Sequence, residues 1–290
     1  MKTVLNPIKV IFRRVRRKVI RLWRLNFMVP RLLKYNVYTG FFGRRLFQYL
    51  PFLLPHDKSY YGFMYLVHPG DGLFLDIGAN DGVSAIGFRH IHSDYSILSI
   101  EPNRYHEPTL KRLKKKLGRF DYIVAAAGSE TCQKVLYMPF YSGVPVHTAA
   151  SVRPEFVEGS MKDQFRDFGK DKIAVLQQIV DVIRVDELNL KPDIIKIDAE
   201  GYDYQVLLGL VATIGACRPY MVVEYNPQLV ADFEKFFKAL SYVLFTYDYK
   251  ADCFFPFHSA AELKIYNKTN IAKNLFCIPQ EKQSGLPLGV

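Results

Sequence analysis

From Asp71 onward, short apolar runs alternate with stretches of helical periodicity. Runs near 73–77, 97–101, 121–126, 193–198, 220–224, 242–247 and 274–278 have strand length and are bounded largely by turn-forming residues. Leu73-Phe74-Leu75 and Ile194-Ile195 are apolar without alternation, as in strands covered on both faces. Apolar residues spaced by three and four predict helices near 81–92, 103–117, 203–214 and 227–240. This alternation predicts an α/β domain over 71–290, with a Rossmann-like, seven-stranded, mostly parallel sheet. Between Tyr141 and Gln178 no such pattern is legible, so that stretch reads as an insert on the substrate side.

A different pattern precedes the domain. Ile8, Ile11, Phe12, Val15, Val19, Leu22 and Trp23 trace one helical stripe, with Arg13, Arg14, Arg17, Lys18, Arg21 and Arg24 mostly on the other side. Residues 1–28 are therefore expected to form a basic amphipathic helix. Residues 29–70, punctuated by Pro30, Gly40, Gly43, Pro51, Pro55 and Pro69, read as a helical and turn-rich lead-in. Charge sharpens this division. The chain carries a formal net charge of +11, but its first acid is Asp57, so the excess belongs to the leading segment and the rest is near neutral. Lys or Arg interrupts every apolar run there, which argues against a cleaved secretory signal, and none approaches the ~20 residues of a spanning helix. Two readings stand: an in-plane contact with an anionic membrane surface, or a helix docked on the domain. Nucleic acid is disfavoured, because the charges lie opposite an apolar stripe and are not interleaved with stacking aromatics. Four scattered cysteines without a Cys-x-x-Cys pair suit a reducing compartment. The expected location is the cytoplasm, with peripheral membrane attachment.

The candidate chemistry gathers at strand ends. Leu73-Phe74-Leu75-Asp76-Ile77 runs into Gly78-Ala79-Asn80-Asp81-Gly82, a turn of small residues that lets backbone approach a ligand. It is neither G-x-G-x-x-G nor a phosphate-binding Walker loop, and it has no Lys or Arg. An acidic loop suits a cationic ligand such as S-adenosylmethionine, whose amino group Asp76 would receive. Glu101 closes the next strand, where doubly wound folds place an acid on ribose hydroxyls. Later, Asp198 and Glu200 follow one apolar run while Glu224 and Asn226 follow the next. Neighbouring parallel strands lie ~4.8 Å apart, which would collect these residues on one rim. Crowded carboxylates persist with raised pKa, a cationic ligand or a divalent metal.

Together Phe74-Leu75-Asp76-Ile77-Gly78-Ala79-Asn80-Asp81-Gly82, Ile100-Glu101-Pro102-Asn103, Ala125-Ala126-Ala127-Gly128, Val182-Ile183-Arg184-Val185-Asp186-Glu187-Leu188 and Ile195-Lys196-Ile197-Asp198-Ala199-Glu200-Gly201 resemble the FkbM family of methyltransferases. The resemblance implies a seven-stranded class I methyltransferase fold and S-adenosylmethionine-dependent O-methylation of a sugar or other small hydroxyl-bearing acceptor, lipid-linked acceptors included. By position it implies that Asp76, Gly78 and Asn80 line the methionine end of the cofactor, Glu101 and Asn103 the ribose side, with Ala126 also at the cofactor. Arg184 stands where the family usually has threonine.

Asp198, Glu200 and Glu224 are the candidate catalytic residues: one would deprotonate the acceptor hydroxyl directly, or the three would hold a divalent metal that acidifies it. His147, in the insert, and Asn226 are candidate substrate contacts. The competing readings are a nicotinamide-dependent oxidoreductase, which the missing G-x-G-x-x-G opposes, and a membrane-recruited scaffold without activity.

Overall fold

A computed structural model describes residues 57–66, 71–141, 143–164, 173–257 and 274–289, all within one compact unit, Pro51–Val290. The expected helix at 1–28 and the lead-in before Asp57 lie outside the described residues.

The central strands are β1 (Leu73–Ile77), β2 (Ser96–Ile100) and β3 (Phe120–Ile123), joined later in the chain by β8 (Ile194–Ile197) and β9 (Tyr220–Glu224). These five are parallel. Beyond them lie β10 (Tyr242–Asp248), β11 (Cys253–Pro256) and β12 (Asn274–Pro279), paired antiparallel. The order is β11-β10-β12-β9-β8-β1-β2-β3. The sheet is thus mixed and eight-stranded, which corrects the expected seven strands: a turn after Asp248 sends the short β11 back along β10 as an added edge.

Strand order reverses between β1 and β8, because the chain steps outward through β2 and β3 before returning to the other side of β1. Backbone diverges there at the carboxyl ends, leaving the crevice where ligands bind in open α/β sheets.

The strands are apolar on both faces because both are covered. On one face Phe74, Ile97, Ile194, Val222 and Phe276 pack with α1 (Val83–Arg89), α2 (Glu107–Lys116) and the 3-10 turn Lys58–Tyr65. The Phe74 and Phe88 rings stack at 3.9 Å, and Phe63 meets both edge-on. On the other, Leu75, Ile77, Ile195, Ile197, Met221 and Val223 pack against α4 (Asp203–Leu208), α5 (Val211–Cys217) and α6 (Val230–Ala239). The single helix expected at 203–214 is therefore two. Gly209 sits so close to the Gly128 carbonyl that a Cβ would overlap it, and the chain restarts as α5 with Asp186 bonding the Ala212 and Thr213 amides.

A second, four-stranded sheet was not expected. The run predicted at 121–126 leaves the main sheet after Ile123, and Ala126-Ala127 becomes β4, paired with Val182-Ile183. Its neighbour β7 (Ile173–Ile183) pairs antiparallel with β5 (Cys132–Tyr141) along ten residues, and β5 pairs with β6 (Val144–Pro145). Between β6 and β7 lie a 3-10 turn at His147–Ala149 and α3 (Pro154–Gln164). The described part of the unpatterned insert is thus the connection between the long strands β5 and β7, together with the first half of β7.

Candidate functional site

One row of side chains crosses three strands beneath the crevice. Register places Ser99, Asp76 and Lys196 side by side on β2, β1 and β8. Asp76 is fully buried; its Oδ2 accepts hydrogen bonds from Ser84 (2.6 Å) and Ser99 (3.2 Å). Its Oδ1 makes no hydrogen bond and lies 3.8 Å from the Lys196 ammonium. Burial raises the Asp76 pKa, against the opposing pull of Lys196 and the two serines. Lys196 donates to Asp198 Oδ2 at 3.1 Å. Burial alone would favour its neutral form, but Asp198, Tyr60 and Asp76 outweigh it and hold the charge. Asp76 therefore braces the loop from below. A direct contact with a ligand's amino group, as expected from the sequence, would need a carboxylate on the open side, and none of Asp76 is exposed.

Above this row the loop turns through three left-handed residues, Gly78 (φ 76°), Asn80 (φ 51°) and Gly82 (φ 83°). Gly78 has no alternative: a Cβ there would overlap the Asp198 carbonyl oxygen. The loop amides are all committed. Gly78 and Ala79 donate to the Ile100 carbonyl, Asn80 to Glu101 Oε2 (2.8 Å), Asp81 to the Asn80 side chain and Gly82 to Ala79. Glu101 Oε1 accepts from the Asn103 amide at 2.9 Å. Each Glu101 oxygen thus takes one backbone N–H and keeps acceptor capacity for another donor. Burial lifts Glu101 to about 7 despite both bonds. The side chain of Asn103 is engaged elsewhere: Oδ1 caps the turn at Tyr105, and Nδ2 lies 3.4 Å from Met138 Sδ and 3.3 Å from His147 Nδ1. The His147 ring also packs against His106, with centroids 4.4 Å apart and the planes tilted by 58°. Ala126 is buried in β4 among Leu136, Val180 and Val182.

The rim brings the acids together. Asp198 and Glu200 follow β8, and Glu224 ends the neighbouring β9. Burial raises Glu224 to about 8, and Asp198 and Asp203 are the charges that act most on its carboxyl, in the same direction. Burial, Asp198 and Glu224 raise Glu200 to about 10. Asp203, unmarked in the sequence reading, shapes the turn: its oxygens accept from the Ala199 (2.7 Å) and Gly201 (3.1 Å) amides, and burial lifts it to about 6. Among the described residues no group of three His, Cys, Asp or Glu is arranged to hold a metal ion. Asp198, Glu200 and Glu224, the alternative ligand set for a metal, do not form such a group, and Asp198 is engaged by Lys196. Asn226 lies just past Glu224 and accepts the Gln228 amide at 3.0 Å.

The insert ties directly to this turn. Ser151 Oγ donates to the Glu200 carbonyl (2.8 Å) and Arg153 to the Gly201 carbonyl (3.0 Å), while the Phe156 ring fills the space a Gly201 Cβ would need. Neither Ser151 nor Arg153 stands in a motif, so only the fold assigns them.

The sequence model described as Methyltransferase FkbM domain matches residues 76–250. The chain belongs to the FkbM methyltransferase family. That match takes in the Asp76 loop, Glu101, the insert and all three rim acids. Asp186 lies within it too, but its carboxylate bonds the Ala212 and Thr213 amides, with Arg184 3.3 Å away. In this FkbM chain Asp186 therefore holds α5 in place, away from the rim. Of solved structures, the chain is similar to methyltransferase FkbM from Methylobacillus flagellatus KT, with 16% identity, TM-score 0.46 and coverage of 75% of this chain and 47% of that one. The chain thus spans about half of that protein's length. A second is precorrin-6y C5,15-methyltransferase from Geobacter metallireducens GS-15, with 10% identity, TM-score 0.35 and coverage of 76% and 84%. No curated protein matches significantly. Among the described residues no helix is long and apolar enough to cross a membrane.

Proposed function

We propose that this chain is an S-adenosylmethionine-dependent O-methyltransferase acting on a hydroxyl of a sugar or other small acceptor. The observation that carries the reading is the cluster of Asp198, Glu200 and Glu224 at the rim beside the Gly78 loop, in which burial and neighbouring charge raise the proton affinity of Glu200 and Glu224. A carboxyl whose pKa lies near 8 is a stronger base, once ionised, than an ordinary one. When bound, S-adenosylmethionine supplies an electrophilic methyl group on a sulfonium centre. Glu101 would hold its ribose through the acceptor capacity left on each oxygen, and the Gly78–Gly82 loop would hold its methionine end. Glu224, beside Asp198, takes the proton of the acceptor hydroxyl as that oxygen receives the methyl group. Lys196 holds Asp198 in place through its hydrogen bond to Oδ2. A dinucleotide is poorly served here, since the amides that would cradle a pyrophosphate are already committed to Ile100, Glu101 and the loop itself.

Titration calorimetry with S-adenosylmethionine and with NAD tests this reading. Binding of the first and not the second is expected; binding of NAD alone would return the oxidoreductase, and binding of neither the scaffold. The acceptor follows from incubating labelled cofactor and enzyme with an extract of the source cells and identifying the labelled product.

We also propose that residues 1–28 carry the enzyme to an anionic membrane surface, since each Lys or Arg near such a leaflet contributes about 1 kcal/mol. Deleting them should abolish sedimentation with anionic liposomes and leave cofactor binding intact. A full-length chain that ignores such liposomes overturns this.

A further inference from the structure

We infer that β7 is a dimerisation edge, on which a second copy of this chain adds its own β7 antiparallel about a two-fold axis at Gln177. The inference stands apart from the chemistry of the site. Among the described residues β7 is paired on one side along its length by β5, but on the other only at Val182 and Ile183, by β4. Among the described residues, 173–181 therefore form an open edge. Val175, Leu176 and Ile179 are exposed by 47%, 44% and 65%. From Ile173 to Val180 the strand has no charge, proline or glycine. Natural edges are blunted by such residues, by bulges or by a covering element, because an open apolar edge pairs with other chains.

The hydrogen-bond phase of this edge is fixed by the strands behind it. Tyr137 of β5 exchanges both its backbone bonds with Ser151, on the side away from β7. Its partner in β7 is Gln177, so the Tyr137–Gln177 pair is one without mutual hydrogen bonds, and the N–H and C=O of Gln177 face the open edge. Alternation gives Val175 and Ile179 the same orientation. At the far end Ile183, in the same phase, accepts from Gly128 on the β4 side (3.0 Å).

A two-fold antiparallel pairing must set outward-facing residues opposite each other. Centred on Gln177, it pairs Gln177 with its copy and Val175 with Ile179 of the partner, and the reverse. Each pair exchanges both its hydrogen bonds. The same register puts Val175 and Ile179 of both copies on one face, where each covers the other's exposed side chain. Centring on Val175 would set Ile173 against Gln177, and centring on Ile179 would run into β4. From Ile173 to Val180 there is no charge for an oppositely charged partner to recognise, whereas Val175 and Ile179, placed evenly about Gln177, fit a second copy of the strand; the same register sets Ile173 opposite Asp181 of that copy.

The test uses the full chain. Sedimentation velocity at micromolar concentration should give twice the chain mass, and Ile179→Lys and Gln177→Pro should each give the single mass with an unchanged far-ultraviolet spectrum. Paired Cα atoms in a hydrogen-bonded position are ~5.5 Å apart, within disulfide reach. Gln177→Cys should therefore crosslink to its own copy under mild oxidation. Val175→Cys alone should not, while Val175→Cys combined with Ile179→Cys should. A wild-type chain that stays monomeric throughout, or a dimer that survives both Ile179→Lys and Gln177→Pro, overturns the inference. So does a dimer in which Gln177→Cys fails to crosslink.

Discussion

Replacing Glu200 by glutamine should make the protein more stable. Glu200 is held at a left-handed backbone position (φ 49°) beside Asp198, and burial with its neighbours' charge lifts its pKa to about 10. At pH 7 the folded protein keeps that proton, while the unfolded chain releases it with an ordinary value of 4.5. The span from 4.5 to 7, at 1.36 kcal/mol per unit, makes folding less favourable by up to about 3 kcal/mol. Glutamine has the same size and no charge to lose. For a unit of this size each kcal/mol shifts the melting temperature by about 2–4 °C, so Glu200→Gln should melt roughly 6–12 °C higher at pH 7. The sign fixes the window. A raised carboxyl pKa leaves stability intact below 4.5 and removes it progressively as pH rises towards 10, so the melting curves of wild type and variant should converge at pH 4 and separate above pH 5. Thermal unfolding followed from pH 4 to 9 measures this. An offset independent of pH, or a variant that melts lower at pH 7, would refute the reasoning that Glu200 is held protonated by its surroundings.

Other outcomes follow from the same geometry. Gly78→Ala adds a methyl where the Asp198 carbonyl already lies and at a positive φ; it should cost at least ~2 kcal/mol by denaturant titration and abolish cofactor binding by calorimetry. The profile of kcat/KM should rise with pH through an apparent pKa near 8 belonging to Glu224, falling about tenfold per unit below it, and Glu224→Gln should remove that limb from the rate profile. Lys196→Met strands Asp76 and Asp198 without their shared cation, and should destabilise by ~3–5 kcal/mol in urea. Glu101→Gln sets an NH2 donor against one of the two backbone N–H groups that Glu101 accepts, and should weaken S-adenosylmethionine by ~1.5–3 kcal/mol in calorimetry.

The parallel strands were legible because they are covered on both faces: Leu73–Ile77 and Tyr220–Glu224 stand in the structure with the bounds their apolar runs suggest. The second sheet was not. In β5 Pro139 interrupts the run, and it is tolerated because the missing N–H would point away from β7, where the residue's carbonyl accepts Val146. In β7 apolar residues lie on the open side as well as the buried one, which erases the period of two that a half-buried strand displays. At the site, spacing alone was enough to bring Asp198 and Glu224 to one rim. It could not reveal that Ser99, Asp76 and Lys196 form a row, since register across strands is set by pairing far apart in the chain. Nor could it single out Asp203, whose partners are amides of a turn that exists only once folded.

The Gly78 backbone rests directly on the Asp198 carbonyl, whereas the insert reaches the Glu200–Gly201 turn through the side chains of Ser151, Arg153 and Phe156. These contacts differ in how freely variation can act on them. No substitution at Gly78 leaves the acid turn undisturbed, so donor recognition and base placement must drift together or stay still. Exchanges along 151–156 change only what presses on the turn from outside. New acceptor preferences can therefore accumulate in the insert one residue at a time, and a library confined to that stretch would sample altered specificity without first disabling the machinery that transfers the methyl group.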